Sequence, residues 1–210
     1  LCTTLDLGAH RVATVEHLLA ALAGCGLSHC EIAVQGGEIP LLDGSALGWV
    51  EAIAEAGLQP AASERPPAPQ LEQPLVRHRG SSVITATPSD RFSLVGIIDF
   101  PQAAIGRQQL ALELTPQRFV DEIAPARTFG FRDQVEQLRA AGLIQGGALD
   151  NALVCDGDQW MNPPLRFADE PVRHKLLDLI GDLALVGFPQ AQVLVYRGSH
   201  GLHTDLAAAL

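Results

Sequence analysis

The chain has 210 residues, 47% of them hydrophobic, and its 24 acidic residues outnumber its 14 Lys and Arg residues to give a formal charge of −10. This apolar content can form one domain or two small ones, while the acidic balance argues against a nucleic-acid-binding surface. No apolar run approaches the roughly 20 residues of a membrane-spanning helix, and the first residues lack a signal-peptide pattern, so a cytoplasmic location is expected.

The first part of the chain predicts a strand, a helix, a strand and a second helix. Residues 1–5 are strand-like. Residues 14–24 predict a helix capped by Thr14, with Glu16 and His17 in its first turn and an apolar run behind them. The positive end of the helix dipole disfavours imidazolium, so His17 is expected to stay neutral, which is the form that binds metal. Residues 29–34 alternate as a strand does.

The next stretch predicts a turn and then a break between domains. Asp43, Gly44 and Ser45 are typical of a tight turn that starts a helix through residue 54, and a structural role is the simplest interpretation of them. Residues 58–70 include four prolines and almost no large apolar side chain. That composition is typical of a linker.

Strand-like runs dominate the beginning of the second part. They cover residues 74–79, 82–87, 92–98 and 109–114, and a helix begins at Pro116. This order favours an α+β domain with a mainly antiparallel sheet. Further on, the sequence predicts an amphipathic helix at 135–141 and short strands at 152–155 and 192–196.

A helix predicted over residues 173–183 has the most informative pattern. His174 and Asp178 lie four residues apart on one face, Asp182 follows one turn later, and the other positions are largely apolar. Buried charges must be paired, hydrogen-bonded or metal-bound. With His17 and a spare Glu16, the set fits a catalytic zinc site that keeps one position open. The alternative is a helix with one wet face, and a His17 that is a satisfied core residue.

Four motifs in order carry a family resemblance. Residues 14–22 (TVEHLLAAL), 38–46 (EIPLLDGSA), 126–131 (ARTFGF) and 174–178 (HKLLD) resemble the bacterial UDP-3-O-acyl-N-acetylglucosamine deacetylases, which perform the committed step of lipid A biosynthesis. The similarity covers nearly the whole chain. The family carries roughly sixty residues before the point that matches Leu1, so the first domain is expected to be truncated at its N-terminus.

The resemblance implies a two-domain α+β fold. Two similar domains of the ribosomal-protein S5 domain 2-like type, at 1–57 and 71–210, would be joined by the linker at 58–70, with their helical layers facing each other around a zinc site. An insert at about 129–156 would form a passage for the substrate's acyl chain. Phe129, Leu143, Ile144, Ala148 and Leu153 are its expected wall residues. Arg132 departs from the apolar residue common in the family, and this bears on the width and depth of the passage.

The resemblance also implies the chemistry of the site. Zn²⁺ would be held by His17, His174 and Asp178, with Glu16 as general base. Thr128 would supply a hydroxyl donor beside the zinc, and Lys175 would contact the sugar nucleotide. His200 would be the terminal acid, oriented by the Asp182 carboxylate. The family pattern at the last position is Gly-His-small-Leu-Asn, so His203 replaces the Asn, and it is the fallback acid only if the alignment shifts by three residues.

Three functions stay open from the sequence. The chain is an active deacetylase for acylated UDP-N-acetylglucosamine, a truncated relative that binds zinc without turnover, or a structural or partner-binding protein with a polar seam. A monomer without nucleic-acid binding or stable membrane insertion is expected. The cysteines, Cys2, Cys25, Cys30 and Cys155, lack metal-binding spacing and are expected to be free thiols in a reducing compartment.

Overall fold

The computed structural model describes residues 2–61, 63, 67–134 and 149–210. Its strands in chain order are β1 (Thr4–Asp6), β2 (Arg11–Ala13), β3 (Leu75–Arg79), β4 (Ser82–Pro88), β5 (Ser93–Asp99), β6 (Arg107–Glu113), β7 (Phe129–Phe131), β8 (Leu153–Asp156), β9 (Gln159–Trp160) and β10 (Ala191–Tyr196). Its helices are α1 (Glu16–Gly24), α2 (Leu47–Ala56), α3 (Pro116–Arg118, continued by a π-helical turn, Phe119–Ile123), α4 (Glu170–Leu183) and α5 (His200–Ala207). This mixture of helices and strands confirms the α+β class.

A five-stranded sheet forms the base of the molecule, in the order β3-β4-β10-β5-β6. Strand β10 is parallel to β5, and the other neighbouring pairs are antiparallel. The prediction of a mainly antiparallel sheet is therefore confirmed. Alternate residues along β5 are buried, as expected for a sheet with one covered face.

Helix α4 covers this sheet. Leu176 sits directly over β5, where a Cβ added at Gly96 would lie 2.8 Å from a Leu176 methyl carbon. Helix α5 packs beside α4 and over β3 and β4. The core between sheet and helices is fully buried and includes Ile84, Leu94, Leu176, Val193 and Leu202.

Helix α1 lies on the other side of α4, and the two helices approach very closely. A Cβ at Gly181 of α4 would lie 2.0 Å from the carbonyl oxygen of Glu16. Helix α1 makes another close contact with the π-helical turn. The Phe119 ring lies against Gly24, where a Cβ would be 2.4 Å from a ring carbon. Glycine at both positions is thus a packing requirement, and α4 becomes a middle layer between the sheet and α1.

The predicted cap of α1 is wrong. Thr14 has a left-handed φ of 59°, and its hydroxyl donates to Glu38 Oε1 at 2.9 Å. The helix begins after Val15, which makes no side-chain cap hydrogen bond. An N-cap side chain works from an extended backbone, and Thr14 does not have that geometry.

The predicted strand at residues 29–34 is also wrong. The segment forms neither strand nor helix, and Ile32 and Val34 are 46% and 37% exposed. A strand is stabilised by backbone hydrogen bonds to a neighbouring strand, and none of the strands in the described ranges pairs with this segment. Its alternating sequence therefore has no partner in the described fold.

A small sheet, β7-β8-β9, stands beside the main one. Phe129 of β7 pairs with Leu153 of β8, so the strand predicted at 152–155 is confirmed within one residue. The helix predicted at 135–141 lies outside the described residues. Within the part of the chain that the structure describes, no helix combines the length and the apolarity needed to cross a membrane.

The contact at Gly181 gives a stability prediction. Gly181→Ala should lower the free energy of unfolding by about 3 kcal/mol or more, because its methyl group meets rigid backbone. Gly201→Ala on α5 is the matched control, since its Cβ would meet only the flexible end of Arg79, and it should stay within about 1 kcal/mol of the parent. Urea unfolding of both variants is the measurement. Equal stability of the two variants would contradict this packing.

Candidate metal centre

Three buried side chains converge where α1 meets α4. Asp178 Oδ1 lies 3.6 Å from His17 Nε2 and 3.4 Å from His174 Nε2. The three ligand atoms lie within 4.8 Å of one another, and each side chain is at most 5% exposed. Ligand atoms about 2.0–2.1 Å from a tetrahedral zinc are separated by about 3.3 Å, so this group fits such an ion.

The His174 ring is held in the tautomer that binds metal. Its Nδ1 lies 3.0 Å from the carbonyl oxygen of Ala126, which can only accept, so Nδ1 carries the proton and Nε2 keeps its lone pair. Burial lowers the pKa of His174 to about 3, although the Asp178 carboxylate opposes the change. His174 is therefore neutral near pH 7. The His17 ring stands edge-on to it, with centroids 5.0 Å apart.

Asp178 is a charged carboxylate with one oxygen directed at the two imidazoles. Burial would raise its pKa, but the Lys175 ammonium, 2.6 Å from Oδ2, and the neighbouring histidines together outweigh burial and hold the pKa of Asp178 well below its usual value. Lys175 was expected to contact a sugar nucleotide. In the structure it pairs with the candidate ligand, and its side chain is still 22% exposed.

A second polar cluster lies one turn further along α4. Asp182 Oδ2 accepts from His200 Nδ1 at 2.9 Å and from His203 Nδ1 at 2.8 Å. Its other oxygen accepts from the Thr3 hydroxyl at 2.5 Å. Burial would raise the pKa of Asp182, but the hydrogen bonds from the two imidazoles lower it below its usual value. The predicted pairing of His200 with Asp182 is present, and His203 is a second partner.

Glu16 connects the two clusters. Its Oε2 accepts from the backbone N–H of Thr3 at 3.0 Å, and its Oε1 lies 3.9 Å from His200 Nε2. The Glu16 carboxylate and the His200 imidazole thus face each other next to the three candidate ligands. Thr3 holds both Glu16 and Asp182. Sequence reasoning missed this role, since a threonine in a strand-like run gives no signal of it.

A buried ion pair supports the backbone that orients His174. Glu170 is fully buried and accepts from the backbone N–H and the guanidinium of Arg127, and also from the backbone N–H of Arg166. Arg127 follows Ala126, whose carbonyl oxygen accepts from His174. The network therefore fixes the segment that orients the metal-facing imidazole. Glu170 lies ahead of the helix predicted over residues 173–183, and nothing in the sequence indicated this role.

The Asp-Gly-Ser turn is joined to the same network. Asp43 Oδ1 accepts from the Ser45 N–H and hydroxyl, and Asp43 Oδ2 pairs with the Arg166 guanidinium at 2.7 Å. Gly44 has φ +82°, and a Cβ there would lie 2.2 Å from the carbonyl oxygen of Asn151. The turn has the structural role that was predicted.

Of the residues expected to line the acyl passage, the structure describes only Phe129 and Leu153, and the two have different surroundings. The Phe129 ring lies 6.4 Å from the His174 ring and 5.6 Å from the Phe100 ring, whereas Leu153 is fully buried. Leu143, Ile144 and Ala148 lie outside the described residues. Arg132 points toward Asp156 at 2.7 Å on the surface, so its charge is directed at a carboxylate.

Thr128 lies two residues beyond Ala126 and donates its N–H to the Gly44 carbonyl oxygen.

The site and the comparisons lead to one family. Two imidazoles and a carboxylate beside a second carboxylate–imidazole pair are the arrangement of metal-dependent hydrolases. The family model for LpxC, UDP-3-O-acyl N-acetylglycosamine deacetylase, matches residues 1–210. The chain belongs to this family of deacetylases, and the predicted resemblance is confirmed.

Several curated relatives are similar over nearly the whole chain. A UDP-3-O-acyl-N-acetylglucosamine deacetylase of Thermosynechococcus vestitus is 53% identical over 211 residues, covering 100% of this chain and 73% of the relative. The enzyme of that name in Trichormus variabilis is 50% identical, with 99% and 76% covered. A probable mitochondrial deacetylase of Arabidopsis thaliana is 42% identical, with 100% and 71% covered.

The Glu170 network predicts a difference between buried and exposed ion pairs. Arg127→Gln should lower the free energy of unfolding by about 3 kcal/mol, because it leaves a buried carboxylate without its countercharge. Arg91→Gln breaks the exposed pair with Glu113 and should leave stability nearly unchanged. Urea unfolding at neutral pH is the measurement. A loss of similar size in both variants would show that burial of Glu170 does not matter.

Proposed function

We propose that this chain is a zinc-dependent deacetylase that hydrolyses the acetamide of UDP-3-O-acyl-N-acetylglucosamine. The products would be UDP-3-O-acyl-glucosamine and acetate, at the committed step of lipid A biosynthesis. The observation that carries the proposal is the convergence of His17 Nε2, His174 Nε2 and Asp178 Oδ1 beside Glu16 and His200. The names of the relatives support the substrate.

His17, His174 and Asp178 are the proposed zinc ligands. Two imidazoles and one carboxylate form a donor set that is common in catalytic zinc sites, which leave a position for water or substrate. A bound zinc supplies Lewis-acid chemistry that activates water and polarises an amide carbonyl. Lys175 stays on the second oxygen of Asp178, so Oδ1 is the oxygen offered to the ion.

Glu16 is the proposed general base. The Thr3 N–H fixes one carboxylate oxygen, and the other lies on the side of His200. From this position Glu16 would take the proton of the attacking water. A positioned base of this kind typically contributes ~10²–10⁴ in rate.

His200 is the proposed acid that protonates the departing sugar amine. Burial lowers the pKa of His200, but the hydrogen bond to Asp182 and the charges of Asp178 and Asp182 outweigh burial and raise it above its ordinary value. The imidazolium form therefore persists to higher pH than in an ordinary histidine, which favours a role as an acid. Its Nδ1–H is held by Asp182, and Nε2 is directed toward Glu16 and the reacting group.

The remaining roles concern the substrate. Thr128 would donate its hydroxyl to the developing oxyanion, and the partly exposed Lys175 would contact the sugar nucleotide. Phe129, Leu143, Ile144 and Leu153 would border the acyl chain. The half-buried Phe129 ring near His174 supports an apolar passage that begins at the metal group.

Organisation and compartment are part of the same proposal. We propose two α+β domains, at 1–57 and 71–210, whose helices α1 and α4 enclose the zinc site, in a monomer that acts in the cytoplasm. The packing of α1 on α4 supports the first point. All four cysteines are free thiols, which supports a reducing compartment.

Metal content tests the ligand set. The purified protein should carry about one zinc per chain, and His17→Ala, His174→Ala and Asp178→Ala should each lose most of it, because three protein ligands define such a site. His78→Ala, at an exposed histidine of β3, is the control and should keep the metal. Elemental analysis after dialysis is the measurement. Full occupancy in the double variant His174→Ala/Asp178→Ala would refute the ligand set.

Acetate release tests the base and the acid. Glu16→Gln and His200→Ala should keep zinc and lose ~10²–10⁴ in kcat, since each removes a proton-transfer group. His203→Ala should lose at most about tenfold, because this side chain does not face Glu16. A parent protein that binds zinc without releasing acetate would instead be the inactive relative. A parent without metal would support the structural or partner-binding alternative.

A further inference from the structure

Asp182 is shared by two histidines, and the proposed reaction uses only one of them. Its Oδ2 accepts from Nδ1 of both His200 and His203, at 2.9 and 2.8 Å. Its Oδ1 accepts from the Thr3 hydroxyl. Hydrogen bonds to a carboxylate stabilise its charge, and each one weakens the hydrogen bond that the carboxylate can accept from a further donor. The strength of the Asp182–His200 interaction therefore depends on what else binds Asp182.

His203 is placed as a fixed internal donor. Its side chain is 1% exposed, compared with 19% for His200, so it lies away from a bound substrate. A Cβ at Gly198 would lie 2.6 Å from its Nε2, so the ring packs into space that only a glycine at position 198 leaves free. Nε2 is buried and has no hydrogen-bond partner within the described ranges. Asp182 is thus the group that determines the orientation of this ring.

The charge state of His203 follows from its surroundings. Burial lowers the pKa of His203, and Asp182 opposes this without reversing it. A neutral imidazole that faces a carboxylate must place its proton on the facing nitrogen, so Nδ1–H donates and Nε2 stays bare. His203 therefore influences Asp182 through a hydrogen bond and adds no charge.

We propose that His203 is a positioning residue, which sets the pH range over which His200 can act as an acid by binding the carboxylate that they share. This inference rests on the proposed role of His200. Loss of the His203 donor leaves Asp182 a stronger partner for His200, so His200 holds its proton to higher pH.

The other charged groups around His200 are unchanged by a substitution at His203. Helix α4 presents Asp178, Asp182 and Lys175, and helix α1 presents Glu16. Strand β3 also packs on α5, but its Arg79 pairs with Asp205 on the exposed side of the helix. A change in the titration of His200 can then be assigned to the shared carboxylate.

Two substitutions separate hydrogen bonding from packing. His203→Leu is similar in size and has no donor. His203→Asn places its amide nitrogen close to the position of Nδ1 and keeps a donor. Histidine-labelled, zinc-loaded protein is titrated by NMR, with the His200 signal assigned from His200→Ala. The proton affinity of His200 should rise about three- to tenfold in His203→Leu and stay within about twofold in His203→Asn.

Enzyme kinetics give a second, independent readout. The alkaline limb of kcat/KM for acetate release should move to higher pH by the same amount in His203→Leu, and should stay near the parent in His203→Asn. Reduced stability with an unmoved limb and an unmoved NMR titration would overturn the proposal and leave His203 a packing residue.

Separate controls cover a variant that does not fold and a parent protein that is inactive. If His203→Leu does not fold, His203→Gln replaces it, because its amide lies near the position of Nε2, away from Asp182, and the same rise is expected. An unchanged His200 titration in that variant overturns the inference. If the parent releases no acetate at any pH, the proposed function fails, while the NMR titration still decides the role of His203.

Discussion

The site depends on the close approach of α1 to α4. Because Gly181 has no side chain, the backbone at Glu16 can lie directly on the last turn of α4. This contact brings Glu16 and His17, from the first part of the chain, to His174, Asp178 and Asp182. A larger residue at position 181 would separate the two helices and with them the candidate ligands.

Burying so many polar groups is costly unless each has a partner. Asp178 has Lys175, His174 has the Ala126 carbonyl oxygen, and Thr3 serves both Glu16 and Asp182. Most of these partners come from segments far apart in the sequence. The site is therefore rigid only when the whole fold is formed, and such preorganisation is what charge-stabilising catalysis requires.

Local patterns explain what the sequence could predict. The spacing of His174, Asp178 and Asp182 put them on one helix face, and alternation located the strands of the main sheet. Features that depend on distant partners were missed, such as the bonds of Thr3 and the burial of Glu170. The segment at 29–34 shows the converse: its alternation is strand-like, but a strand also needs a neighbour. The complementary Glu/His and His/Asp patterns of α1 and α4 suggested that the two helices meet, and the family resemblance supported it.

The local charge of the site suggests how an acidic protein can bind an anionic substrate. When Glu16, Asp178 and Asp182 are ionised and Lys175 and His200 are protonated, these five groups together carry one net negative charge. A divalent cation bound by the three ligands would change this to one net positive charge. Buried charges are screened less than surface charges, so this local field can outweigh the formal −10 of the chain for a nucleotide at the site. The metal would therefore serve the binding of the substrate as well as its hydrolysis.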